Sequence, residues 1–337
     1  MIQKHIENII SGYHLSINES RFLMSAIMNG EVNNSQIAAL LTALKIKGVS
    51  KDELAGFVQT MRSKSIKIKA PTANTIDLCG TGGDASGTFN ISTASAFVVA
   101  GAGIPVAKHG NRSVSSKCGS SDVLQALGVN VNLSPEKSEQ ALKEIGIAFL
   151  FAPIYHPAMK YVAPVRQELK MKTVFNILGP LTNPAGVKRQ IIGTYNNSTS
   201  ALMAEACASL DMEKVLFVCT DNSLDEITLT GITNIIEFNS GEENKSYEIT
   251  NDTFGYPSVQ LSEIKGDSAQ TNSEIIRSIF KSNRSAPLYV VVANSAMALY
   301  AAGFSNNILE CRNAAEDSIL SGKAAKILKS FIEFSNS

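Results

Sequence analysis

Two short loops, each placed after an apolar stretch, carry the residue types that bind phosphate groups. The first is GTGGD at residues 80–84, which precedes a helix start near Ser92. The second, residues 108–116, holds one lysine, one arginine and three serines. Glycines let backbone N–H groups approach a ligand closely, a helix N-terminus adds partial positive charge, and basic or hydroxyl side chains pair with phosphate oxygens. The two loops therefore predict one ligand that carries more than one phosphate group.

The first loop also fits other glycine-rich patterns, which lead to different functions. Residues 80–85 match G-x-G-x-x-G/A, but a dinucleotide-binding fold also wants an acidic residue about 20 positions later, at the end of the next strand. That strand ends instead at Lys108, which disfavours a dehydrogenase. The spacing of a P-loop motif is absent from the sequence. A third alternative, a glycine-rich turn without a ligand, leaves the second loop unexplained.

An acidic pair, Asp225 and Glu226, follows the apolar residues 215–219 and lies in a polar loop. Adjacent acids in a loop are common as solvated surface. Mg²⁺, however, prefers one or two carboxylates together with phosphate oxygens and water, so a phosphate-binding loop favours a metal site here. Ser92, at the start of a helix that faces the first loop, is a candidate for an additional hydroxyl ligand.

Arg166 is a candidate for binding a carboxylate, because its guanidinium presents a planar fork of donors. Taken alone, however, a single arginine is better explained by a surface ion pair. His109 fits either a base or a hydrogen-bond donor. Cys79 and Cys118 flank the loops, but no histidine is placed by the sequence to activate either thiol, and cysteine is often a small buried residue, which disfavours a catalytic cysteine.

Composition excludes several classes of protein. The 337 residues are 44% apolar, enough for a substantial core, and 30 basic residues balance 30 acidic ones. A zero net charge gives no support for binding nucleic acid. The first residues lack the apolar core of a signal peptide, and no 18-residue charge-free apolar run predicts a membrane span. Five cysteines without a C-x-x-C pair fit reduced thiols in the cytoplasm better than disulfides or a zinc site.

Residues 1–70 are predicted to form a small helical domain. Ser50 and Glu53 form a capping box ahead of an apolar stripe at i, i+3, i+4, i+7, and a second stripe at residues 37–44 is followed by Gly48 as a helix stop. An earlier helix at residues 21–28 ends near Gly30 in the same way. Because so small a helical layer buries little by itself, we expect it to pack on the next domain or on a second subunit.

Residues 74–337 are predicted to form a large α/β domain, with a mostly parallel central sheet flanked by helices, because strands alternate with helices. Helices are expected at residues 122–127 and from residue 134. Residues 155–184 interrupt the alternation with helix and loop and are expected to return to the helical layer near 160–185. Residues 239–272 are polar and strand-poor. Strands are expected at 76–79, 104–108, 129–133, 147–151, 189–195, 215–220, 235–238 and 288–293.

Together these residues resemble the anthranilate phosphoribosyltransferases of tryptophan biosynthesis, over nearly the whole chain. The resemblance implies a small helical domain and a large α/β domain, and a homodimer joined through the helical part. The matching motifs are GTGGD (80–84), NIST (90–93), KHGNR (108–112) with Ser115 and Ser116, GSSDVL (119–124), FNILGPLTNPA (175–185), DE (225–226), NSAMALY (294–300) and SGKA (321–324).

The same resemblance implies the ligands. Ser92, Asp225 and Glu226 would hold two Mg²⁺ ions, and Gly80, Asn111 and Arg166 would contact anthranilate. Lys108, Asn111 and Arg166 would position the substrates and the leaving group. The residues that would surround 5-phosphoribosyl 1-diphosphate are Gly80, Gly83, Asp84, Thr88, Asn90, Ile91, Ser92, Thr93, Lys108, His109, Gly110, Asn111, Arg112, Ser113, Val114, Ser115, Ser116 and Ser120.

This chain departs from the family pattern at a few positions. Lys170 and Lys172 stand where the family often has glycine and arginine, and Ser223 stands where a glycine commonly precedes the acidic pair. None of these changes removes a candidate ligand.

The residue chemistry agrees with phosphoribosyl transfer. Displacement of diphosphate from C1 of ribose builds oxocarbenium character at carbon and negative charge on the leaving group, so catalysis would rest on charge stabilisation and alignment. An arylamine is neutral at pH 7, so we expect no general base. Two alternatives remain: a pyrimidine nucleoside phosphorylase, which needs no metal site at Asp225 and Glu226, and a nonenzymatic relative that binds nucleic acid, which needs a basic surface.

Overall fold

The N-terminal part of the chain is helical, as predicted. The computed structural model describes residues 2–84, 86–112 and 117–337. The predicted capping box of Ser50 and Glu53 is confirmed at the start of α4, and Gly48 caps the end of α3. Reciprocal side-chain caps of this kind satisfy the backbone N–H groups that a helix leaves unpaired at its start. The four helices are α1 (Ile2–Ile10), α2 (Ile17–Met28), α3 (Asn34–Lys47) and α4 (Lys51–Lys64).

A seven-stranded sheet forms the centre of the remaining chain, in the order β3-β2-β1-β4-β5-β6-β7. The first five strands are parallel, and β6 and β7 add to the edge in antiparallel orientation. The predicted mostly parallel sheet is therefore confirmed. The strands are β1 (Ile76–Gly80), β2 (Val106–Gly110), β3 (Ile147–Phe151), β4 (Arg189–Gly193), β5 (Lys214–Thr220), β6 (Thr233–Asn239) and β7 (Lys245–Ile249).

Helices cover both faces of the sheet. Successive side chains of a strand point to opposite faces, so apolar residues on both faces need a layer of helices to bury them. On β5, Leu216 and Val218 belong to a core with α5, α14 and α16, whereas Val215 and Phe217 belong to a second core with α1–α4. The remaining helices are α5 (Ile91–Gly101), α6 (Ser120–Leu127), α7 (Pro135–Glu144), α8 (Ala152–Tyr155), α9 (Ala163–Leu169), α10 (Val174–Leu178), α11 (Asn197–Cys207), α12 (Asn251–Phe254), α13 (Ala269–Ile279), α14 (Ala286–Ala302), α15 (Ile308–Leu320) and α16 (Lys323–Ser335).

The segment between β3 and β4 packs against the N-terminal helices. Helix α9 contacts α3, and α10 contacts both α3 and α4. Valines of this segment, Val162 and Val165, are buried in the same core as α1–α4. In the part of the chain that the structure describes, no helix combines the length and apolar character needed to cross a bilayer.

Three sequence predictions are wrong in detail. Residues 288–293 lie inside the 17-residue helix α14 and not in a strand, because a short apolar run looks the same in a buried helix and a buried strand. Residues 129–133 form no strand; their alternation reflects the burial of Val129, Val131 and Leu133 without sheet pairing. The strand expected at 104–108 is shifted to Val106–Gly110, whereas the stretch 239–272 is strand-poor as expected, with one strand, β7, at the exposed edge of the sheet.

Candidate active site

The first glycine-rich loop and the acidic pair meet at the carboxyl edge of the sheet. Gly80, the last residue of β1, pairs with Gly193, the last residue of β4. The loop after β5 lies against both, and the backbone N–H of Gly82 donates a hydrogen bond of 2.8 Å to Asp225 Oδ2. A Cβ at Gly80 would lie 2.6 Å from the same oxygen, so only glycine allows this approach. Residues 143 positions apart in the chain thus share one site.

The turn of the first loop depends on two consecutive glycines. Gly82 and Gly83 have φ angles of 66° and 75°, in the left-handed region that side chains other than glycine disfavour. The turn leads towards α5, whose N-terminus lies beside the acidic pair, since the N–H of Ser92 donates to Glu226 Oε1 at 3.3 Å. The loop and the helix start therefore each direct an N–H group at the acidic pair, and N–H groups placed in this way suit an anion.

Three carboxylates crowd this site. Asp225 and Glu226 are half-buried, and the N–H of Asp225 approaches Asp84 Oδ2 at 3.5 Å. Burial, with repulsion from Asp84 and Glu226, raises the pKa of Asp225 well above its usual range. Burial also raises the pKa of Glu226 to about 7, although Lys108 opposes the shift. Carboxyl groups this close repel one another when they are ionised, and a divalent cation relieves that repulsion.

The donors present fit Mg²⁺ bound jointly with a phosphorylated substrate. Within residues 2–84, 86–112 and 117–337, no three histidine, cysteine, aspartate or glutamate side chains form a complete metal cluster. The chain instead offers Asp225, Glu226 and the hydroxyl of Ser92, and leaves further positions for phosphate oxygens and water. Magnesium usually binds in this way, through one or two carboxylates plus substrate phosphates.

Lys108 lies beneath the site and is largely occupied by the protein itself. Its ammonium donates to the carbonyl of Leu78 at 2.5 Å and to Ser92 Oγ at 3.1 Å. The residue is only 3% exposed, and burial lowers the pKa of its ammonium. This arrangement supports Ser92 and counters Glu226, but it leaves few donors for phosphate oxygens. The sequence pointed to Lys108, but it did not predict that the ammonium of Lys108 would bind Leu78 and Ser92 beneath the site.

The second loop joins the site through β2 and α6. Ser120 Oγ donates to the carbonyl of Asn111 at 3.2 Å, and the Arg112 guanidinium lies 5.8 Å from the centre of the Phe151 ring. Asn90 is held by Asn272, whose amide donates to Asn90 Oδ1 at 2.9 Å. The predicted ligands Ser113, Val114, Ser115 and Ser116 lie outside the described residues.

The other predicted ligands are less open. Ile91 and Thr93 are buried, so the side chain of Ile91 belongs to the core. Thr88 Oγ1 lies 3.2 Å from Ser86 Oγ, in the same loop.

Burial raises the pKa of the Cys79 thiol well above its usual value and that of Cys118 to about 11, so neither is a thiolate nucleophile at neutral pH.

Arg166 is not brought into contact with Gly80 or Asn111. Its guanidinium lies 5.5 Å from the centre of the Phe175 ring, and among the described residues it has no ion pair or side-chain hydrogen bond. Burial lowers its pKa. A half-buried guanidinium without a carboxylate partner is available for an anionic ligand.

Two buried groups beneath the second loop were missed by sequence reasoning. Asp77 is fully buried and accepts hydrogen bonds from the N–H of His109 at 3.2 Å and from Asn183 Nδ2 at 2.8 Å. His156 lies against His109, with ring centres 5.1 Å apart. An acid inside an apolar strand was a visible signal for Asp77. Nothing marked His156, because it lies 47 positions from its neighbour.

The histidine pair makes stability depend on pH. Burial lowers the pKa of His109 to about 3 and that of His156 to about 4, from 6.5. Both rings are therefore neutral in the folded protein, and their stabilising effect is complete above pH 6.5 and is lost as pH falls towards 4. Between pH 7.5 and pH 5 the free energy of unfolding of the wild-type protein is expected to fall. We expect this fall to be about 2 kcal/mol smaller in His156→Gln.

Urea unfolding of both proteins at the two pH values measures this difference. Carboxylates with shifted pKa values act alike in wild type and variant, so they cancel in the comparison. If the free energy of unfolding fell by the same amount in both proteins, His156 would take up a proton in the folded state, and the prediction would be wrong.

The chain matches two family models in succession. Residues 3–65 match the helical bundle domain of a glycosyl transferase family, and residues 72–325 match the a/b domain of the same family. The anthranilate phosphoribosyltransferase of Pelotomaculum thermopropionicum is 46% identical over 334 residues, which cover 99% of this chain and 96% of that protein.

Solved structures of similar proteins share the fold. The anthranilate phosphoribosyltransferase of Thermus thermophilus superimposes with a TM-score of 0.93 at 36% identity, over 98% of this chain and 99% of that one. The Saccharomyces cerevisiae enzyme in complex with PRPP and Mg superimposes with a TM-score of 0.90 at 24% identity, over 99% and 98% of the two chains. The second likeness bears on the fold alone.

Proposed function

Since the chain belongs to the anthranilate phosphoribosyltransferase family, we propose that the carboxyl-edge site binds the substrates of that reaction. The enzyme transfers the phosphoribosyl group of 5-phosphoribosyl 1-diphosphate (PRPP) to the amine of anthranilate, giving N-(5-phosphoribosyl)anthranilate and diphosphate in tryptophan biosynthesis. The observation that carries the site assignment is the hydrogen bond from Gly82 to Asp225, which joins a phosphate-type loop to paired acids.

PRPP lies between the two loops in this proposal. The N–H groups of the first loop and of the α5 N-terminus face its diphosphate, and Asn90, Asn111 and Ser120 line the same edge. Asp225, Glu226 and Ser92 hold Mg²⁺, and two ions remain the expectation from the resemblance. When bound, the metal stabilises negative charge on the diphosphate oxygens.

The chain's own residues mainly align and shield the substrates. The anthranilate nitrogen bonds to C1 of ribose as the bond from C1 to the diphosphate oxygen breaks, and the amine proton leaves to water. A base is not needed, because a neutral arylamine already has a lone pair for attack. The nearby imidazoles of His109 and His156, with pKa values of about 3 and about 4, are too weakly basic to take that proton efficiently.

Arg166 is proposed to bind the anthranilate carboxylate. Arg166→Ala is expected to raise the KM for anthranilate by roughly 10- to 100-fold, as fits the loss of one charge-assisted hydrogen-bonded pair, with the KM for PRPP unchanged. Arg166→Lys keeps the charge but not the planar fork, so its KM for anthranilate should lie between those of the wild type and the alanine variant. Initial rates at varied anthranilate measure the effect. An unchanged KM for anthranilate in the alanine variant would show that the role is wrong.

We also propose a homodimer through the helical domain, with the domain division at residues 70–74. Helix α1 contacts α3, and apolar side chains at their ends are strongly exposed: Ile10 and Tyr13 at 67% and Ile46 at 82%. Such a patch is commonly covered by a partner. A single-chain mass in sedimentation at micromolar concentration would exclude the dimer.

A cytoplasmic location fits the free thiols of Cys79, Cys207, Cys219 and Cys311, and cell fractionation tests it.

One assay separates this function from the two alternatives. Protein, PRPP, Mg²⁺ and anthranilate are mixed, and the loss of anthranilate fluorescence is followed. Loss that requires PRPP and Mg²⁺ supports the transferase. Phosphate-dependent cleavage of thymidine would support a pyrimidine nucleoside phosphorylase, and a nucleic-acid gel shift without turnover would support a binding protein. The relatives described above, all anthranilate phosphoribosyltransferases, favour neither alternative.

A further inference from the structure

A lysine of the segment between α9 and α10 lies directly on the first glycine-rich loop. The chain turns at Lys170, whose φ of 46° is left-handed, and then passes the sheet edge at Lys172. The side-chain Cε of Lys172 lies 2.8 Å from the position that a Cβ of Gly83 would take. The end of the Lys172 side chain therefore rests on the loop at Gly83, where an added Cβ would push it aside.

The backbone at Lys172 is fixed by the helical part of the molecule. Lys45, on α3, donates from its ammonium to the carbonyl oxygen of Lys172 at 3.0 Å. The side chain of Lys172 is half-buried and points along the loop towards Tyr195, which lies two residues beyond the end of β4. Lys172 is therefore held at the carboxyl edge, where β1 and β4 end.

Among the described residues, the ammonium of Lys172 has no anionic partner. It lies 3.9 Å from the centre of the Tyr195 ring, and among the described residues it has no side-chain hydrogen bond or ion pair. A cation–π contact at a partly exposed site is weaker than a hydrogen bond to a charged group. A phosphate oxygen at this loop would therefore be a better partner than the ring.

The other cations near the loop leave this place open. Lys108 donates to Leu78 and Ser92 beneath the site, Arg112 lies over Phe151, and Arg166 lies over Phe175. The side chain of Lys172 is the one that contacts a glycine of the GTGGD loop.

We propose that Lys172 binds phosphate oxygens of the donor, leaving the Tyr195 ring when PRPP enters. This role rests on the proposed function of the site. It makes Lys172 a substrate-binding residue for the donor and not for anthranilate.

Kinetics of three variants test the proposal. Lys172→Gln removes the charge at similar length, Lys172→Arg restores it, and Lys170→Gln is the control, since Lys170 is exposed and lies two positions away. We expect Lys172→Gln to raise the KM for PRPP about tenfold, the lower end for one lost charge-assisted hydrogen bond, with the KM for anthranilate within about twofold. The KM of Lys172→Arg for PRPP should lie within about threefold of the wild-type value, and Lys170→Gln should match wild type.

Calorimetric titration with PRPP and Mg²⁺ should show the same loss of affinity. A glutamine variant with wild-type kinetics, an effect confined to anthranilate, or an equal loss in Lys170→Gln would overturn the proposal. Wild-type protein that does not consume anthranilate with PRPP would instead contradict the proposed function itself.

Discussion

Asp225→Asn is expected to lower kcat on the order of 10³-fold, because several kcal/mol of charge stabilisation on the leaving group would depend on the metal that this carboxylate is proposed to hold. The substitution is conservative for the fold, since the asparagine oxygen still accepts the N–H of Gly82 that Asp225 Oδ2 accepts at 2.8 Å. Glu226→Gln should have a similar effect, with the bond from the N–H of Ser92 retained.

Two measurements distinguish loss of the metal from loss of structure. Steady-state rates give kcat, and electron paramagnetic resonance of Mn²⁺ in the presence of PRPP reports metal affinity independently of turnover. Ser223→Ala, in the same loop and exposed, is the matched control and should match wild type. Retention by Asp225→Asn of more than about a tenth of kcat, with unchanged metal affinity, would remove the carboxylates from the mechanism.

Gly193→Ala should be strongly damaging, although it adds only one methyl group. A Cβ at this position would overlap the backbone carbonyl oxygen of Asp225, and Asp225 Cα would be 3.2 Å away. The loop has little freedom to yield: Thr220 Oγ1 donates to the carbonyl of Glu226 at 2.7 Å, and the N–H of Ile227 donates to Asn294 Oδ1 at 3.2 Å.

We therefore expect Gly193→Ala to lower the free energy of unfolding by about 3 kcal/mol, the upper range for overpacking, and to remove most activity by displacing Asp225. Urea denaturation measures the first effect and initial rates the second. Ser223→Ala, an exposed change in the same loop as Asp225, is the control for stability. That variant should differ by less than about 0.5 kcal/mol. Equal stability of the two variants would mean that the Asp225 loop moves freely.

The meeting of the GTGGD loop with Asp225 and Glu226 could be predicted because parallel strands bring their carboxyl ends to one edge. Any loop after β1, β2, β4 or β5 must emerge there, whatever its distance along the chain. The capping box at Ser50 was predictable for a different reason, since its residues lie within one helical turn. Local chemistry and strand direction were thus sufficient for the outline of the site.

Side-chain direction and long-range packing were not available from the sequence. Lys108 has the chemistry of a phosphate ligand, but its ammonium reaches back to Leu78 because β2 and β1 are neighbours in the sheet. Residues 288–293 are as apolar as a strand, and only the length of the surrounding run, begun by Pro287 in the first turn, distinguishes the helix. Lys172 reaches the glycine loop through a turn at Lys170 that no local pattern announced.

We propose that the carboxyl edge of β1, β4 and β5 cradles PRPP, with a cation bound to the acidic pair. A crystal structure of the protein soaked with PRPP and Mg²⁺ tests it most directly. We expect the diphosphate beside Gly82 and Gly83, with metal density roughly 2.1 Å from oxygens of Asp225 or Glu226. Donor density at another surface, with no metal at these carboxylates, would contradict the account.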